Sequence, residues 1–439
     1  GTCPHCGYEH AHGDQCERCG KLLEQKELVE PRCTICGGRP VLRTSRHLFL
    51  RLDALAPRLE QWIENATHWR PQVRAEALGK IRAGLHKRAI TRDLDWGVRV
   101  PLDGFRDKVF YVWFDAPIGY ISFTKQAAPE RWESFWRDPE TRIYHVLGKD
   151  NIVFHTIWWP GMLMAEGSFT LPYRVDGLQF LNYEGRKISK SKSWGVFCER
   201  LPEAGLDPDL LRAYLTFLIP ETSDTEFRWD DFERRINNEV IGTLTNFIHR
   251  TLSLAASRLG GRLEAMDEMR LGEHEERLVE QIRTRAERVT QHLERGELRA
   301  AWQEVLGLAA DGNRYFDYTE PWRLAKSEPE RARGVLHLAA NVVRSLAILM
   351  APFVPGIAER AWGLLALEGA PSDAGRWAEA GTLALPPVLT IERPRPLLPK
   401  LTAEEIERIR AIVTHPTPLE QLLAQPAESA APDPAGTRS

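Results

Sequence analysis

The 439-residue sequence has no run approaching the roughly 18 consecutive apolar residues that a membrane span needs. It lacks a basic stretch followed by an apolar one at its start, so no secretory signal is visible. It also lacks an initiator methionine, opening on Gly1-Thr2-Cys3, which predicts further sequence upstream. Neither charge is in large excess. The 58 basic and 61 acidic residues give a formal charge of −3, which excludes a uniformly basic nucleic-acid coat and leaves room for a local basic face. There is no internal repeat and no Walker loop, which needs G-x4-G-K-[ST]. At this length several cores can be buried without covalent staples, and roughly two to four domains are expected.

What is present begins with clustered cysteine. Six of the seven cysteines form three Cys-x-x-Cys pairs within the first 36 residues. An odd count with that clustering reads as thiolate metal ligation in a reducing compartment, hence the cytoplasm, rather than a disulfide framework. Cys3, Cys6, Cys16 and Cys19 form two knuckles, followed by Gly7 and Gly20. Together they can close a four-thiolate shell around zinc with no position left for catalysis, so the site is structural. Cys33 and Cys36 repeat the knuckle without a partner pair downstream. They are either a leftover half-site or half of a second zinc site completed from upstream of Gly1. His10 and His12 in their polar loop read as solvated, and the lone Cys198 as a small buried residue.

The elements predict an α/β half followed by an all-α half. Leu52, Leu55, Leu59, Trp62 and Ile63 recur at helical spacing over 50–85. "KVFYVWF", "RIYHVLG" and "YRVDGLQFLN" read as buried strands, with a helix over 152–165 between the last two, as in a parallel sheet. Asp207 and Pro208 are an N-cap and first-turn proline. Beyond them come amphipathic segments over 231–258, 273–295, 298–316 and 328–366, the last opened by a Ser327/Glu330 capping box. Its stripe is Leu336, Ala339, Ala340, Val343, Leu346, Ala347 and Met350. The end, "QPAESAAPDPAGTRS", has the composition of a disordered tail.

Two further constellations carry chemistry. Gly185–Gly195 packs Lys187, Ser189, Lys190, Ser191, Lys192 and Ser193 into a Gly-flanked loop. Mobile ammonium and hydroxyl groups suit a triphosphate, whose charge builds in the transition state, although such loops are more often just solvated. The second is "YVWFDAPIGYISF" with "HVLGKDNIVFHTIWW". Its Trp113, Tyr120, Trp158 and Trp159 would be plain aromatic core were it not for His155, Asp150 and the run Ala116-Pro117-Ile118-Gly119. That run breaks a strand where α/β sheets bind their ligands.

Together these residues resemble methionyl-tRNA synthetase, a class I aminoacyl-tRNA synthetase. "KISKS" at 187–191 is similar to the KMSKS loop of that class, with Ile188 for Met. "VWFDAPIGY" and "GKDNIVFH" resemble the methionine-pocket segments, "TRDLDWGVRVP" at 91–101 also fits, and the knuckles resemble the connective insertion. The resemblance covers Gly1 to about residue 400. The other signature of the class, His-x-Gly-His, is absent, so the resemblance implies that the first half of the nucleotide-binding fold lies upstream and that this chain alone does not activate methionine.

The resemblance implies an order of parts. Residues 1–45 are the zinc-knuckle insertion, 46–200 the second half of a Rossmann-like catalytic domain with the KISKS loop, and 201–235 a stem-contact linker. Residues 236–385 are a helical anticodon-binding domain and 386–439 an extended, disordered tail. It also implies ATP-dependent attachment of methionine to its tRNA, with magnesium accompanying ATP. Trp113, Ala116, Pro117, Tyr120, Asn151, Ile152, His155 and Trp159 would surround methionine. Lys187, Ser189, Lys190 and Asp150 would serve ATP, the two lysines as the catalytic cations. Asn246, Arg250 and Trp322 would read the anticodon CAU, with Gly242 one turn before Asn246. Two other readings fit the same residues: a zinc-containing tRNA-binding fragment without activation, and a class I synthetase for a branched aliphatic amino acid. The short insertion and the Ala116–Tyr120 run favour methionine over the latter.

Overall fold

The computed structural model describes residues 1–415 except Gly13, Glu17, Gly20, Glu24 and 268–270, and omits the side chains of Asp14, Gln15, Leu22, Gln25 and Ser191. Gly20 of the second knuckle and the stretch read as a disordered end therefore lie outside the described residues. The chain divides into two compact units, residues 1–178 and 179 onward.

In the first unit the knuckle region has only a small core of its own, Cys3, Ala11, Cys16 and Leu23. The helical pattern over 50–85 is two helices, α1 (Leu52–Asn65) and α2 (Pro71–Arg82), because Pro71 opens a new first turn. "KVFYVWF" is not one strand. Val109–Phe110 pairs with Thr91–Arg92, and the chain then turns into α3 (Val112–Asp115) and α4 (Ile118–Ala127). Pro117, at φ −63°, is already set for a helical first turn, and Tyr120 N bonds back to its carbonyl. Next come β1 (Tyr144–Gly148), a π-helical turn over Phe154–Trp158, α5 (Trp159–Glu166) and β2 (Arg174–Leu178). β1 and β2 are parallel, Tyr144 opposite Arg174, so the expected strand–helix–strand order holds. Leu59, Ile63, Trp69, Val73, Ile152, Ile157 and Val175 form the core. A Cβ on Gly177 would lie 2.5 Å from Ile152, so glycine lets the strand meet the helix start closely.

The second unit opens on β3 (Leu181–Tyr183), antiparallel to β4 (Arg186–Lys187). After α6 (Pro208–Leu218), β5 (Thr225–Phe227) pairs parallel with β3. "YRVDGLQFLN" is thus two strands in two units. The lysine loop falls within the second compact unit, where its strand neighbours and its anchoring rings lie. Asp207 caps α6 as expected, its carboxylate accepting from Asp209 N at 3.0 Å. The expected helix over 231–258 is α7 (Trp229–Arg235), a ten-residue π-helical stretch Ile236–Thr245 and α8 (Asn246–Leu259).

α9 (Glu273–Glu294), α10 (Leu298–Thr319), α11 (Pro321–Ser327), α12 (Pro329–Met350) and α13 (Pro355–Leu364) complete the bundle. The segment read as one helix over 328–366 breaks before Pro355. The Ser327/Glu330 capping box does not form either. Ser327 Oγ donates back to Arg323 O inside α11, and α12 starts on Pro329 with no side-chain cap. The predicted stripe of α12 is buried, and so is every other residue from Val335 to Met350, since this helix runs through the middle of the bundle. It is long and apolar enough to cross a membrane by composition, but its most apolar window is 94% buried in protein, the mark of a core helix. Cys198, expected to be buried, is exposed.

The segment read as a tail from residue 386 is structured as far as it is described. Val388–Thr390 pairs antiparallel with Arg262–Glu264, and α14 (Ala403–Val413) carries Ile406, Ile409 and Val413 into the core at helical spacing. Thr402 and Glu405 form a capping box at its start. Just before it, buried Asn237 of the π-helical stretch donates to Leu401 O at 2.8 Å and accepts from Leu401 N at 2.9 Å. Asn237→Ala strands both backbone groups in the interior. An unfolding titration should therefore show a loss of about 2–6 kcal/mol, at roughly 1–3 kcal/mol per unmet group.

Candidate functional site

The Sγ atoms of Cys3, Cys6, Cys16 and Cys19 all lie within 4.8 Å of one another. Cys3 and Cys19 are 4.0 Å apart and Cys6 and Cys16 3.7 Å. A tetrahedral zinc with Zn–S bonds of about 2.3 Å would separate its sulfurs by about 3.8 Å, so the cluster already has the size of the shell. Both knuckles are set by backbone bonds, Cys3 N to Tyr8 O and Cys16 N to Lys21 O, and His5 N donates to Cys3 Sγ at 3.4 Å. Without a cation the thiols diverge. Burial pushes Cys6 up to about 12, whereas the backbone N–H of Cys19 brings Cys16 down to about 7. Cys33 and Cys36 repeat the knuckle, with Cys33 N to Gly38 O at 2.9 Å and Gly37 N to Cys33 O at 2.8 Å. They join no metal-sized cluster among the described residues.

The aromatic site of the first unit gathers on Tyr120 and His155. Asn151, His155 and Trp159 are four residues apart and share a face. His155 Nδ1 lies 3.1 Å from Asn151 O, which can only accept, so Nδ1 carries the hydrogen and Nε2 is free to accept. It does so from Tyr120 Oη at 2.9 Å. Trp159 meets Tyr120 edge-on at 6.1 Å between ring centres, and Trp113 lies 5.2 Å from Phe154. Trp136 braces the arrangement from below, donating to Thr124 Oγ1 of α4. Burial lowers the affinity of His155 for a proton and raises the Tyr120 phenol, so the wall carries no charge near neutral pH. Trp113 and Tyr120 remain exposed, and Pro117 is buried beside exposed Ala116.

Ile152 is not part of this wall. It points the other way, into the core against Val73 and Gly177, because it is one residue out of step with Asn151, His155 and Trp159. Asp150 is exposed in the turn after β1.

In the second unit the lysine loop is a tight hairpin end. Ser189 and Trp194 exchange backbone bonds at 2.9 Å, and Ser193 adopts a left-handed φ of 47°. The Trp194 indole donates to Tyr183 O, and Trp229 Nε1 holds the Tyr183 hydroxyl, so the base of the loop is fixed while Lys187 and Lys190 are exposed. Lys187 Nζ lies 5.2 Å from the Phe180 ring centre.

In the bundle, Arg250 places its guanidinium 5.6 Å from the Phe316 ring and 6.0 Å from the Trp322 ring. Asn246 is exposed one turn earlier on the same helix. Gly242, within the π-helical stretch, has room for little else, since a Cβ would stand 3.0 Å from Asn237 O.

The family profile described as tRNA synthetases class I (M) matches residues 1–252, more than half of the chain. The chain belongs to the class I (M) tRNA synthetase family. A second profile, the anticodon binding domain of methionyl tRNA ligase, matches residues 267–413 and so takes in α14. The methionine–tRNA ligase of Methanopyrus kandleri is 43% identical over 418 residues, 94% of this chain and 61% of that protein. That of Bacteroides fragilis is 43% identical over 410 residues, 93% of this chain and 59% of that protein. The chain thus spans about three-fifths of the length of these curated relatives. Among solved structures, Mycobacterium tuberculosis methionyl-tRNA synthetase bound by methionyl-adenylate aligns with a TM-score of 0.70 at 26% identity, covering 84% of this chain and 72% of that one. Its free state aligns at 0.73 and 27%, covering 89% and 77%.

Two residues of this chain escaped the sequence reading. Asn313 donates to Thr243 O and Ala309 O and holds its carbonyl oxygen 3.5 Å from Arg250 Nη1, so it ties α10 to the helix that carries Asn246 and Arg250. It opens "NRYFDYTEPW", the one signal that could have found it. His145 packs against Tyr120 and His155 at 5.2 and 5.1 Å between ring centres. Within its strand it reads simply as an inward residue.

Proposed function

We propose that this chain supplies the amino-acid pocket, the phosphate loop and the anticodon bundle of a methionine–tRNA ligase, which joins methionine to its tRNA through methionyl-adenylate in the cytoplasm. The observation that carries this reading is the uncharged cluster of Tyr120, His155 and Trp159, joined by the Tyr120–His155 bond, with Trp113 beside it on Phe154. A thioether is apolar yet polarisable, and sulfur–ring contacts are worth roughly 0.3–1.5 kcal/mol. A neutral wall welcomes such a side chain and penalises a charged one. Ala116 and Pro117 shape the mouth and Asn151 fixes the His155 tautomer.

Lys187 and Lys190, with Ser189 between them, would neutralise the triphosphate of ATP and its magnesium as charge builds on the departing pyrophosphate, and Asp150 would contribute a polar contact. Zinc would be held by Cys3, Cys6, Cys16 and Cys19 as a structural ion, and Cys33 with Cys36 would offer half of a second site. The bundle would take methionine tRNA with the anticodon CAU. Calorimetric titration of the chain with methionine tests the pocket reading: binding of methionine but not of lysine or glutamate supports it, and equal binding of all three sinks it.

The loop has its own test. In a ligase of the relatives' full length, Lys190→Ala should lower the rate of methionine-dependent pyrophosphate exchange about a hundredfold, in line with the loss of one electrostatic contact to a transition state. The methionine affinity should stay nearly intact. An equal loss of methionine binding would mean the loop is misassigned.

A further inference from the structure

His145, like Trp159 Nε1 in the same cluster, breaks the rule that buried polar atoms are hydrogen-bonded. It is 8% exposed, and its Nε2 is buried without a hydrogen-bond partner among the described residues. An unmet polar atom in the interior costs more than an apolar side chain of the same size would, so packing alone gives no reason for histidine here. The ring nevertheless sits inside the most consequential cluster of the first unit. Its centre is 5.2 Å from the Tyr120 ring, closer than the 5.9 Å that separates Tyr120 from His155, the residue to which the Tyr120 hydroxyl is actually bonded.

Tyr120 has freedom to choose. It is 40% exposed on α4, a helix with no buried residue. Its hydroxyl has one hydrogen and two neighbouring imidazoles, one used and one unmet.

We propose that His145 is a positioning residue of the amino-acid pocket, its Nε2 a second station to which the Tyr120 hydroxyl transfers from His155 when the pocket fills. The inference rests on the reading of this site as a methionine pocket. Both stations are uncharged, since burial and the neighbouring His155 push His145 down to about 4 and burial lowers His155 as well, and His145 Nε2 accepts in the tautomer that carries its hydrogen on Nδ1. The hydroxyl can therefore move between them without charging the wall. The transfer exchanges one O–H···N bond for another, so no proton leaves Tyr120. It also frees His155 Nε2 on the Asn151–Trp159 face. A residue kept for this purpose should be a small liability to the empty fold and an asset to the filled one.

The test is a double-mutant cycle on the full chain, with His145→Leu, Tyr120→Phe and the pair, each followed by thermal unfolding and by methionine titration. His145→Leu is expected to leave the melting temperature unchanged or raise it, and to weaken methionine binding about tenfold (~1.4 kcal/mol). Once Tyr120→Phe has removed the hydroxyl, adding His145→Leu should cost nothing more. His145→Gln, which keeps a buried acceptor, should restore most of the affinity. In histidine-labelled chain, methionine should move the His145 Nε2 nitrogen resonance in the direction of an accepted hydrogen bond. A fall of several degrees in melting temperature, or additive losses in the cycle, would make His145 a packing residue and overturn the inference alone. Unchanged affinity in His145→Leu would do the same. If the unaltered chain bound no methionine, the pocket reading itself would fall, and this inference with it.

Discussion

Stripping zinc is expected to unfold the first thirty or so residues while leaving the helical unit folded. The knuckle region has almost nothing else to hold it. Its core is Cys3, Ala11, Cys16 and Leu23, and two of those four are the ligands themselves. Structural zinc sites are worth on the order of 10–16 kcal/mol in apparent binding energy at neutral pH, far more than such a core supplies. The ion must also turn four thiols into thiolates. Burial raises the Cys6 thiol, so it resists losing its proton, whereas the backbone N–H of Cys19 lowers Cys16. Protons compete with the metal for the same sulfurs, so its hold weakens as pH falls and tightens as pH rises. Elemental analysis should find one tightly held zinc, and chelation should open the segment to protease near Cys19. Purified chain free of zinc would sink the assignment. A stoichiometry near two would show that Cys33 and Cys36 had found a second pair. Cys16→Ser should mimic chelation.

What could be read beforehand divides along physical lines. The cysteine spacing and the long apolar stripe of α12 are local patterns, and both led to the right structure. "KVFYVWF" misled because its β-branched and aromatic residues satisfy a strand, while Pro117 and the local backbone bonds carry the chain from Tyr111 onward into helical turns. Composition also misled beyond residue 386. A Pro-rich stretch looks unstructured until one sees that Leu401 answers Asn237 and that Ile406, Ile409 and Val413 fill a core assembled from sequence two hundred residues earlier. The π-helical turns were illegible, since widening a helix by one residue is decided by what packs against it. Yet they adjoin both sites: Phe154–Trp158 contains His155, and Ile236–Thr245 delivers Asn246. Such turns recur at functional positions because they re-aim the side chains that follow. Ile152 lies before the first of these turns, and the motif misplaced it for a simpler reason: it is one residue out of step with Asn151 and His155 and so faces the core.

Replacing Trp322 by alanine is expected to weaken binding of tRNA carrying CAU by about one to two decades, and to leave tRNA with a changed first anticodon base hardly affected. Base–aromatic stacking contributes roughly 1–3 kcal/mol per base, at ~1.4 kcal/mol per decade. The geometry supports a stacking platform. Trp322 is 36% exposed at the start of α11, Arg250 lies over the same ring, and exposed Asn246 stands one turn before Arg250. Arg250 is held in place by the Phe316 ring and by Asn313, so its donors are fixed before any base arrives. A cytosine stacked on the indole would present acceptors that an arginine can meet and a donor that an asparagine carbonyl can take. The control must separate reading from steering. Arg262 is a poor choice because Glu264 already pairs with it at 2.7 Å. Lys326 is better: it is exposed one turn along the same short helix as Trp322. Lys326→Ala should weaken both tRNAs alike and reduce the salt slope by about one. Trp322→Ala should leave that slope unchanged. If Trp322→Ala instead weakened both tRNAs equally while lowering the melting temperature, the indole would be packing between α8 and α11. The anticodon assignment would then fail, and Arg250 would be its brace rather than its partner in reading.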